Sequence, residues 1–363
     1  MANRPPPQLQ TISAADLQRK NIPPLYFIVN GLLPRGGLHI LASPPKYGKS
    51  WLCIDIGLSV ASGSPFLGYR TNKTACLYLA LEDSDRRLKS RMNKILDGKP
   101  APQDFYFSTA CANMDNGLFP QMEGFLKEHP ETGLIIVDTF QKVRGAPHGR
   151  EGAYQADYRE AGALKAFADH WNISVLIVHH LRKMTDESDP FNRISGTNGL
   201  LGAADTAMVL AREERNSINT KFSVTGRDVE STDTVLTFDK STCKWVNLGS
   251  ADWFSAQQAR REYEQSPFVL TVKKLLSQSP TGWTGTAKQV LEAGRIITHT
   301  ELARTERGLT SVFKKFDSLL MEYDGIAHER DGNGTGGGKH SFFYVGSEPE
   351  AEPQREALEM EIL

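Results

Sequence analysis

The sequence predicts an α/β fold in which helices cover a mainly parallel sheet, with a smaller domain following toward the C-terminus. From about residue 30 to residue 247, short apolar runs alternate with stretches of helical apolar spacing. Most of these runs are continuously apolar, which is typical of strands buried on both faces. The first run leads into a glycine-lysine-serine loop and then a helix. A chain of 363 residues has the length of about two domains of roughly 150 residues each.

Six apolar runs are the predicted strands of the sheet. A helix is predicted over residues 51–61, directly after the first run and its loop. Residues 1–27 are rich in proline and glutamine and are predicted to form a flexible N-terminal arm, which leaves 28–247 for the first domain. The predicted strands cover 38–42, 75–80, 133–137, 174–178, 206–210 and 222–225.

The C-terminal part is predicted to hold a second domain over 266–346, joined by a polar linker or connecting helix over 248–265. Two of its segments place apolar residues on one helical face, and a glycine-rich turn then separates two short predicted strands. Helices followed by such a hairpin are the layout of a winged helix. Residues 347–363 contain six glutamates and one arginine and are predicted to be a disordered acidic tail. The apolar helical positions are Phe268, Val269, Val272, Leu275 and Leu276, then Val312, Phe316, Leu319, Leu320 and Tyr323.

Composition narrows the class of protein. With 39% hydrophobic and 23% charged residues, the chain is of ordinary globular type. The net charge of −1 provides no global basic field, so any nucleic-acid contact must come from local patches. The four cysteines are scattered, as expected for free thiols in a reducing cytosol. No run approaches the ~20 apolar residues of a membrane span, and the N-terminus has no signal-peptide core, so we expect a cytoplasmic protein without membrane contact.

The loop after the first strand is predicted to bind phosphate. Its backbone N–H groups would surround a β-phosphate at the positive end of the following helix. Lys49 would reach the β- and γ-phosphates, and the Ser50 hydroxyl would hold Mg²⁺. Ser43 stands where the motif has its first glycine, and a surface turn is the alternative interpretation. The predicted nucleotide contacts are Ser43, Pro44, Pro45, Lys46, Tyr47, Gly48, Lys49, Ser50 and Trp51.

Carboxylates follow two other predicted strands. Asp138 closes the run Leu134-Ile135-Ile136-Val137, at the sheet edge where it can order the water shell of Mg²⁺ together with Ser50. Glu82 is predicted to orient the water that attacks the γ-phosphate and to accept its proton. The alternatives are a strand-ending turn for Asp138 and, for the neighbouring Asp83, a helix N-cap.

A histidine pair ends the predicted strand over 174–178. His180 is the predicted sensor, because a polar group at this edge can contact the γ-phosphate and pass its loss to the following loop. A structural or metal-binding histidine is the alternative, although no third ligand stands nearby in the sequence.

Several motifs occur here in the order seen in RecA-like ATPases. They are Gly36-Gly37-Leu38, the phosphate loop, Leu79-Ala80-Leu81-Glu82-Asp83, Val137-Asp138, the run from Val178 to Lys183, and Ile194-Ser195-Gly196-Thr197. The chain most resembles the plasmid-replication (RepA-type) hexameric helicases and related ATPases of phages and mobile elements, over residues 28–235. The resemblance implies a RecA-like core for 28–247 that hydrolyses ATP with Mg²⁺, and the serine at position 43 is the main departure.

The resemblance also implies a homo-hexamer or other ring in which each ATP lies between two subunits. Arg227 and Lys221 match the positions from which this family supplies cations to the neighbour's nucleotide, where an arginine stabilises transition-state charge. The alternative for both residues is surface charge on an exposed strand.

Two loops line the central hole in this family, and here both carry cations and glycines. Such spaced cations suit a phosphate backbone and give sequence-independent, salt-sensitive binding. A solvated surface loop is the alternative, and for the C-terminal domain protein–protein contact competes with DNA contact. The predicted DNA contacts are Arg144, Arg150, Arg182, Lys183 and Arg193 in the loops, and Lys314 and Lys315 in the C-terminal domain.

The predicted function is therefore an ATP-driven translocase or helicase that moves on single-stranded DNA in the replication of a plasmid, phage or mobile element, with replication proteins as partners. A RecA-like recombination or repair ATPase is one alternative. A nucleotide-dependent switch or loader that acts on a protein partner is the other.

Overall fold

The structure is a computed structural model that describes residues 9, 11–146, 149, 151–181, 189–194, 198–212, 217–331 and 338–345. The predicted glycine-rich turn and the predicted acidic tail lie outside these ranges. The chain divides into two compact units, Met1–Ala251 and Asp252–Leu363. No helix in the described ranges is both long and apolar enough to cross a bilayer.

The first unit contains eleven strands and seven α-helices among the described residues. The strands are β1 (Phe27–Val29), β2 (Leu33–Pro34), β3 (Leu38–Ser43), β4 (Ala75–Ala80), β5 (Phe105–Ser108), β6 (Thr132–Asp138), β7 (Ser174–His180), β8 (Thr206–Ala211), β9 (Asn219–Gly226), β10 (Thr232–Asp239) and β11 (Lys244–Ser250). The helices are α1 (Ala14–Arg19), α2 (Lys49–Ser62), α3 (Asp85–Leu96), α4 (Leu118–Glu128), α5 (Phe140–Val143), α6 (Ala153–Trp171) and α7 (Asn198–Ala203).

Nine of these strands form one sheet, in the order β11-β10-β9-β8-β3-β7-β6-β4-β5. The six strands from β8 to β5 are mutually parallel, and β9 to β11 extend the sheet in antiparallel fashion. The predicted mixed α/β class and mainly parallel sheet are confirmed. All six predicted strands are present, and most of them are longer than predicted.

The parallel strands are buried on both faces. Along β6, Leu134 and Ile136 pack into one apolar core, while Ile135 and Val137 pack into the other. Helix α2 packs on the first of these cores, and α4 and α6 pack on the second. This double burial explains why the strands appear in the sequence as uninterrupted apolar runs.

The carboxyl ends of β3, β4, β6 and β7 meet at one edge of the sheet. Ser43 at the end of β3 is in register with His180 at the end of β7. Ala80 at the end of β4 is in register with Asp138 at the end of β6. In an open parallel sheet this edge is where ligands bind, so the topology brings the predicted site residues together.

The described residues of the second unit form four helices and a small antiparallel sheet of three strands. The last strand lies between the other two, and all five predicted apolar positions of the unit's second helix are buried. Residues 248–265, predicted as a linker or connecting helix, form the end of β11 and then a helix. The elements are α8 (Ala251–Gln265), α9 (Pro267–Gln278), β12 (Trp283–Thr286), α10 (Ala287–Thr298), α11 (Glu306–Asp324), β13 (Ile326–Asp331) and β14 (Lys339–Tyr344).

Candidate nucleotide-binding site

The loop between β3 and α2, which is predicted to bind phosphate, contains two residues in the left-handed conformation. Gly48 precedes α2 at φ 87°, and Lys46 also adopts a left-handed conformation, at φ 67°. Ser43, by contrast, is the last residue of β3 and has ordinary strand conformation. The left-handed positions of this loop therefore lie elsewhere, and a serine at position 43 causes no backbone strain.

Lys49 lies inside this loop, with only 7% of its surface exposed. Its Nζ donates hydrogen bonds to the carbonyl oxygens of Ser43 and Pro44, at 2.9 and 3.1 Å, and to the Ser43 hydroxyl at 3.1 Å. Burial lowers the pKa of Lys49, and the nearby Asp138 carboxylate opposes that shift. The serine that replaces the glycine thus contributes a hydroxyl that helps to orient the lysine.

Asp138 accepts two hydrogen bonds at the bottom of the site. The Ser50 hydroxyl donates to Asp138 Oδ2 over 3.0 Å, and the Tyr78 hydroxyl donates to the same oxygen over 2.7 Å. Burial raises the pKa of Asp138, although these two hydrogen bonds and Lys49 act in the opposite direction. Tyr78 was not predicted, but a tyrosine within a buried apolar strand is a usable signal, because its hydroxyl needs a partner.

Glu82 lies just beyond β4, exposed at the wall of the site. The Thr139 hydroxyl is within 3.5 Å of Glu82 Oε1, which brings together the residues that follow β4 and β6. The N-cap alternative for Asp83 is wrong, because the N-cap of α3 is Ser84. Asp83 instead pairs with two arginines of α3, Arg87 at 2.9 Å and Arg91 at 2.5 Å.

His180 contacts the loop lysine from the end of β7. The His180 Nδ1 atom lies 3.4 Å from Lys49 Nζ. Burial lowers the pKa of His180, and the positive charge of Lys49 lowers it further. A neutral imidazole beside an ammonium group can accept its hydrogen bond. The predicted sensor is therefore in contact with the lysine that is predicted to bind phosphate.

One cavity of about 540 Å³ is lined by Lys49, Ser50, Glu82, Asp138 and His180, whereas Ser43 and Pro44 do not line it. Its other wall is aromatic and comes from the antiparallel extension of the sheet, through Phe238 on β10 and Trp245 on β11. The Trp245 and Phe238 rings lie 5.3 Å apart, and Phe238 lies 5.9 Å from Trp51. Trp245 Nε1 also donates to the Gly48 carbonyl over 3.4 Å. Sequence reasoning missed this wall, because nothing near Gly48 in the sequence indicates a tryptophan 197 positions later.

Two arginines extend the cavity lining. Arg91 lies over the Trp51 ring at 5.5 Å, and Arg212 lies over the Tyr47 ring at 5.1 Å. Both side chains line the cavity. They add positive charge beside flat aromatic surfaces, a combination that suits a nucleotide with its base and phosphates.

The oxygen atoms at this site fit a magnesium ion. Ser50 and Asp138 supply a hydroxyl and a carboxylate within hydrogen-bonding distance of each other. Within the described ranges, no three His, Cys, Asp or Glu side chains cluster as a metal site. Few protein ligands are expected at a Mg²⁺ site where phosphate oxygens and water complete the coordination, and one carboxylate with one hydroxyl fits that expectation.

The two predicted trans-acting cations lie at opposite ends of β9. Lys221 is paired with Asp233 at 2.8 Å, and it is in register with Ala211 at the carboxyl end of β8. Arg227 follows β9 at the edge of the sheet opposite to the loop between β3 and α2. There its guanidinium contacts Asp205 at 3.4 Å and the Gly202 carbonyl at 3.1 Å, while 58% of its side chain stays exposed.

The predicted DNA-contacting cations differ in their surroundings. Arg144 is paired with Asp157 at 2.7 Å and Glu160 at 2.6 Å, so its charge is neutralised within the chain. Arg193 closes a short 3₁₀ turn, Pro190–Arg193, and its Nε has no partner among the described residues. In the second unit, Lys314 is exposed and Lys315 pairs with Glu262. Arg150, Arg182 and Lys183 lie outside the described residues.

Comparison with known proteins gives a family and two similar structures. A family model described as an AAA domain matches residues 3–186, half of the chain. A solved structure described as an ATPase domain has 14% identity and a TM-score of 0.48, with 58% of this chain and 84% of that chain covered. A DnaB-like replicative helicase, described with its primase interactions, has 14% identity and a TM-score of 0.48, with 59% and 58% covered. No curated protein matches the sequence.

Proposed function

This chain belongs to the AAA domain family, and on that premise we propose that it is an ATP-hydrolysing motor that translocates on single-stranded DNA. The resemblance to RecA-like ATPases is confirmed by this family and by the strand order around the loop. The observation that carries the proposal is the convergence of Lys49, Ser50, Asp138, Glu82 and His180 on one cavity.

Each of these residues has a part in phosphoryl transfer. Lys49 binds the β- and γ-phosphates, and Ser50 and Asp138 would hold Mg²⁺, which would neutralise charge on the phosphate oxygens. Glu82 orients a water molecule and accepts its proton as the water oxygen bonds to the γ-phosphorus and the bond to the ADP oxygen breaks. Its exposed position at the cavity wall leaves room for that water.

His180 couples the nucleotide to the segment that follows β7. Its Nδ1 is in contact with Lys49 Nζ, and residues 182–188 come directly after Leu181 in the sequence. A γ-phosphate that attracts Lys49 changes the hydrogen bond offered to His180. We therefore assign His180 the role of sensor, with the adjoining segment as the part of the chain that responds.

A ring with shared sites fits the position of Arg227. This arginine lies at the sheet edge opposite to the phosphate loop of its own subunit, and we assign it to a neighbour's nucleotide. Lys221 is the second cation of the proposed shared site. A negative-stain image of the protein with an ATP analogue and single-stranded DNA tests the homo-hexamer or other ring directly.

The cations proposed to bind single-stranded DNA in the ATPase unit are Arg150, Arg182, Lys183 and Arg193. Spaced cations of this kind bind phosphates without regard to sequence. Arg144 is left out, because Asp157 and Glu160 already neutralise its guanidinium. A replicative helicase of a plasmid, phage or mobile element, acting in the cytoplasm with replication proteins, is the role we assign to this motor.

The second unit is proposed to be a winged-helix-like domain over 266–346, with 28–247 as the ATPase domain. Support comes from the element order α9-β12-α10-α11-β13-β14 and from the pairing of the first strand with the last. A three-stranded sheet of this pattern places a hairpin beside the long helix α11.

The test is the rate of ATP hydrolysis with and without single-stranded DNA, at two salt concentrations. We expect DNA to stimulate the parent protein, with less stimulation at high salt, since each phosphate contact releases counterions. Lys49→Ala is the control for contaminating ATPases and should be inactive throughout. A parent ATPase that ignores DNA at both salt concentrations contradicts a DNA motor and favours the switch or loader.

A further inference from the structure

The second unit contains a cleft of about 780 Å³ between the start of α10, the first half of α11 and the hairpin β13–β14. It is larger than the nucleotide cavity and has no part in the proposed ATPase site. Four cations line it from three different elements. They are Lys288 on α10, Arg307 and Lys314 on α11, and Arg330 on β13.

These four residues are exposed, and none has an ion-pair partner within the described residues. Four further cations of the unit are also exposed without an ion pair in the described part of the chain, so the four of the cleft are distinguished by lining one concave surface. Those further cations are Arg261, Lys274, Arg304 and Lys339. The other cations of this unit include four in ion pairs, which lie outside the cleft. Those pairs are Arg260–Glu264, Lys273–Asp324, Arg295–Glu301 and Lys315–Glu262.

The acids of the cleft do not cancel this charge. The lining includes two carboxylates, Glu306 and Asp317, against the four cations. Asp317 accepts a hydrogen bond from His328 Nδ1 over 3.0 Å. His328 in turn is hydrogen-bonded through Nε2 to His340 Nδ1 at 2.9 Å. Asp317, His328 and His340 thus form one hydrogen-bonded row in the cleft, and the cleft lining as a whole keeps a net positive charge.

The cations on α11 lie on one helical face. Arg307, Thr310 and Lys314 follow one another at intervals of three and four residues, and all three are exposed. Arg330 faces the same cleft from the hairpin, so an exposed helix face is flanked by a basic strand. A single exposed helix of this kind fits the width of a DNA major groove, with flanking cations near the phosphates.

We propose that this cleft binds the phosphate backbone of double-stranded DNA, as a second DNA site distinct from the single-stranded DNA site proposed for the ATPase unit. The choice of DNA as the polyanion rests on the proposed function. Four unpaired cations arranged around a concave surface are suited to several phosphates in a row, each neutralised by one side chain. The site includes Lys314, whereas the predicted contact Lys315 is excluded because it pairs with Glu262.

The experiment compares two fourfold variants of the full chain. The cleft variant combines Lys288→Gln, Arg307→Gln, Lys314→Gln and Arg330→Gln. The matched control combines Arg260→Gln, Lys273→Gln, Arg295→Gln and Lys315→Gln, which removes the same formal charge from the same unit. Binding of a labelled blunt duplex is measured by fluorescence anisotropy across a salt series, and folding is checked by thermal melting.

We expect the cleft variant to lose duplex affinity about tenfold or more at low salt, and its salt slope to fall by roughly 3 to 4. The control variant should retain affinity within a few-fold. Equal losses in the two variants, or unchanged binding in the cleft variant, overturn the proposal. A parent protein that does not bind the duplex at all overturns it too.

ATP hydrolysis stimulated by single-stranded DNA separates this site from the proposed function. Duplex binding that is lost in the cleft variant while the parent shows no stimulation supports the duplex site and contradicts the motor. If single-stranded DNA stimulates the parent protein but the cleft variant binds the duplex as well as the parent does, the motor is supported and the duplex site is contradicted.

Discussion

Ser50 and Asp138 lie 88 positions apart in the chain, yet the Ser50 hydroxyl donates a hydrogen bond to Asp138 Oδ2 over 3.0 Å. The contact joins the first turn of α2 to the carboxyl end of β6. It shows that the predicted phosphate loop and the strand-ending carboxylate lie at one site, which neither motif establishes alone. The Tyr78 hydroxyl, from the neighbouring strand β4, donates a second hydrogen bond to the same Asp138 oxygen over 2.7 Å.

Lys49 and Glu82 should affect hydrolysis in different ways. Lys49→Ala removes charge from the phosphate site, so we expect nucleotide binding and turnover to be lost together. Glu82→Gln keeps the shape but not the base, so ATP should bind while turnover falls by about 10²–10⁴. Nucleotide titration and steady-state ATPase assays measure the two effects.

Asp83→Asn is the matched control for Glu82→Gln, because Asp83 is adjacent but engaged with Arg87 and Arg91. Its turnover should stay near that of the parent, provided that melting shows a folded protein. A Glu82→Gln variant that hydrolyses ATP at the parent rate would remove Glu82 from the mechanism.

Arg227 should act on the neighbouring subunit's ATP. Arg227→Ala and Lys49→Ala proteins are each expected to be inactive, because each lacks one half of every shared site. Mixed assemblies contain some interfaces with both halves intact, so mixing should restore part of the ATPase activity. No recovery in assemblies shown to be mixed would argue that the sites are not shared.

The strands were predictable where burial is complete and unpredictable where it is partial. Strand β6 is buried at every position and appears as an apolar run. Strand β10, Thr232–Asp239, is exposed or half-exposed at five of its eight positions and has a Thr- and Asp-rich sequence, so its role was missed. Because β10 was missed, the aromatic wall of the cavity formed by Phe238 and Trp245 was missed too.

Arg144 illustrates a second limit of sequence reasoning. A cation after a strand-ending Asp138 is indistinguishable, in the sequence, from one that contacts DNA. Its partners Asp157 and Glu160 lie on one face of α6 and become visible only when that helix packs beside the loop. Motifs with a fixed local geometry, such as Lys49-Ser50, do not depend on distant partners in this way.

Arg182 and Lys183 should link DNA to hydrolysis. The double substitution Arg182→Ala with Lys183→Ala is expected to leave basal ATPase activity nearly intact and to abolish stimulation by single-stranded DNA, because both cations follow the His180 strand. Arg144→Ala is a useful comparison, since its charge is neutralised within the chain and its loss should not weaken DNA binding selectively. Stimulation that persists in the double variant would exclude both cations from the role.

Asp55 should make the first unit less stable as the pH rises. This carboxyl is 6% exposed on α2, and burial raises its pKa from 3.8 to about 6 despite the opposing charge of Lys244. Since the unfolded chain ionises at lower pH, stability falls as the pH rises from about 4 through 6. Asp55→Asn should therefore raise the free energy of unfolding above pH 6, by up to roughly 3 kcal/mol, with no gain below about pH 4.

Asp239 provides a control of opposite sign for Asp55. Hydrogen bonds from the Ser241 hydroxyl and backbone lower the pKa of Asp239 from 3.8 to about 2. Its contribution is present above pH 3.8 and is lost as the pH falls through about 2, so Asp239→Asn should destabilise the protein at neutral pH. Urea unfolding at about pH 4 and pH 8 measures both variants, and a gain for Asp55→Asn that is equal at the two values would contradict the burial argument.

The central claim, an ATP-driven motor on single-stranded DNA, is tested most directly by strand displacement on a forked DNA substrate. We predict that the parent protein releases the displaced strand with ATP, but not with a non-hydrolysable analogue, and that Lys49→Ala and Glu82→Gln release none. Strand exchange without displacement would instead indicate a recombination ATPase. ATP turnover that single-stranded DNA stimulates, with no displacement on any fork polarity, would contradict the motor.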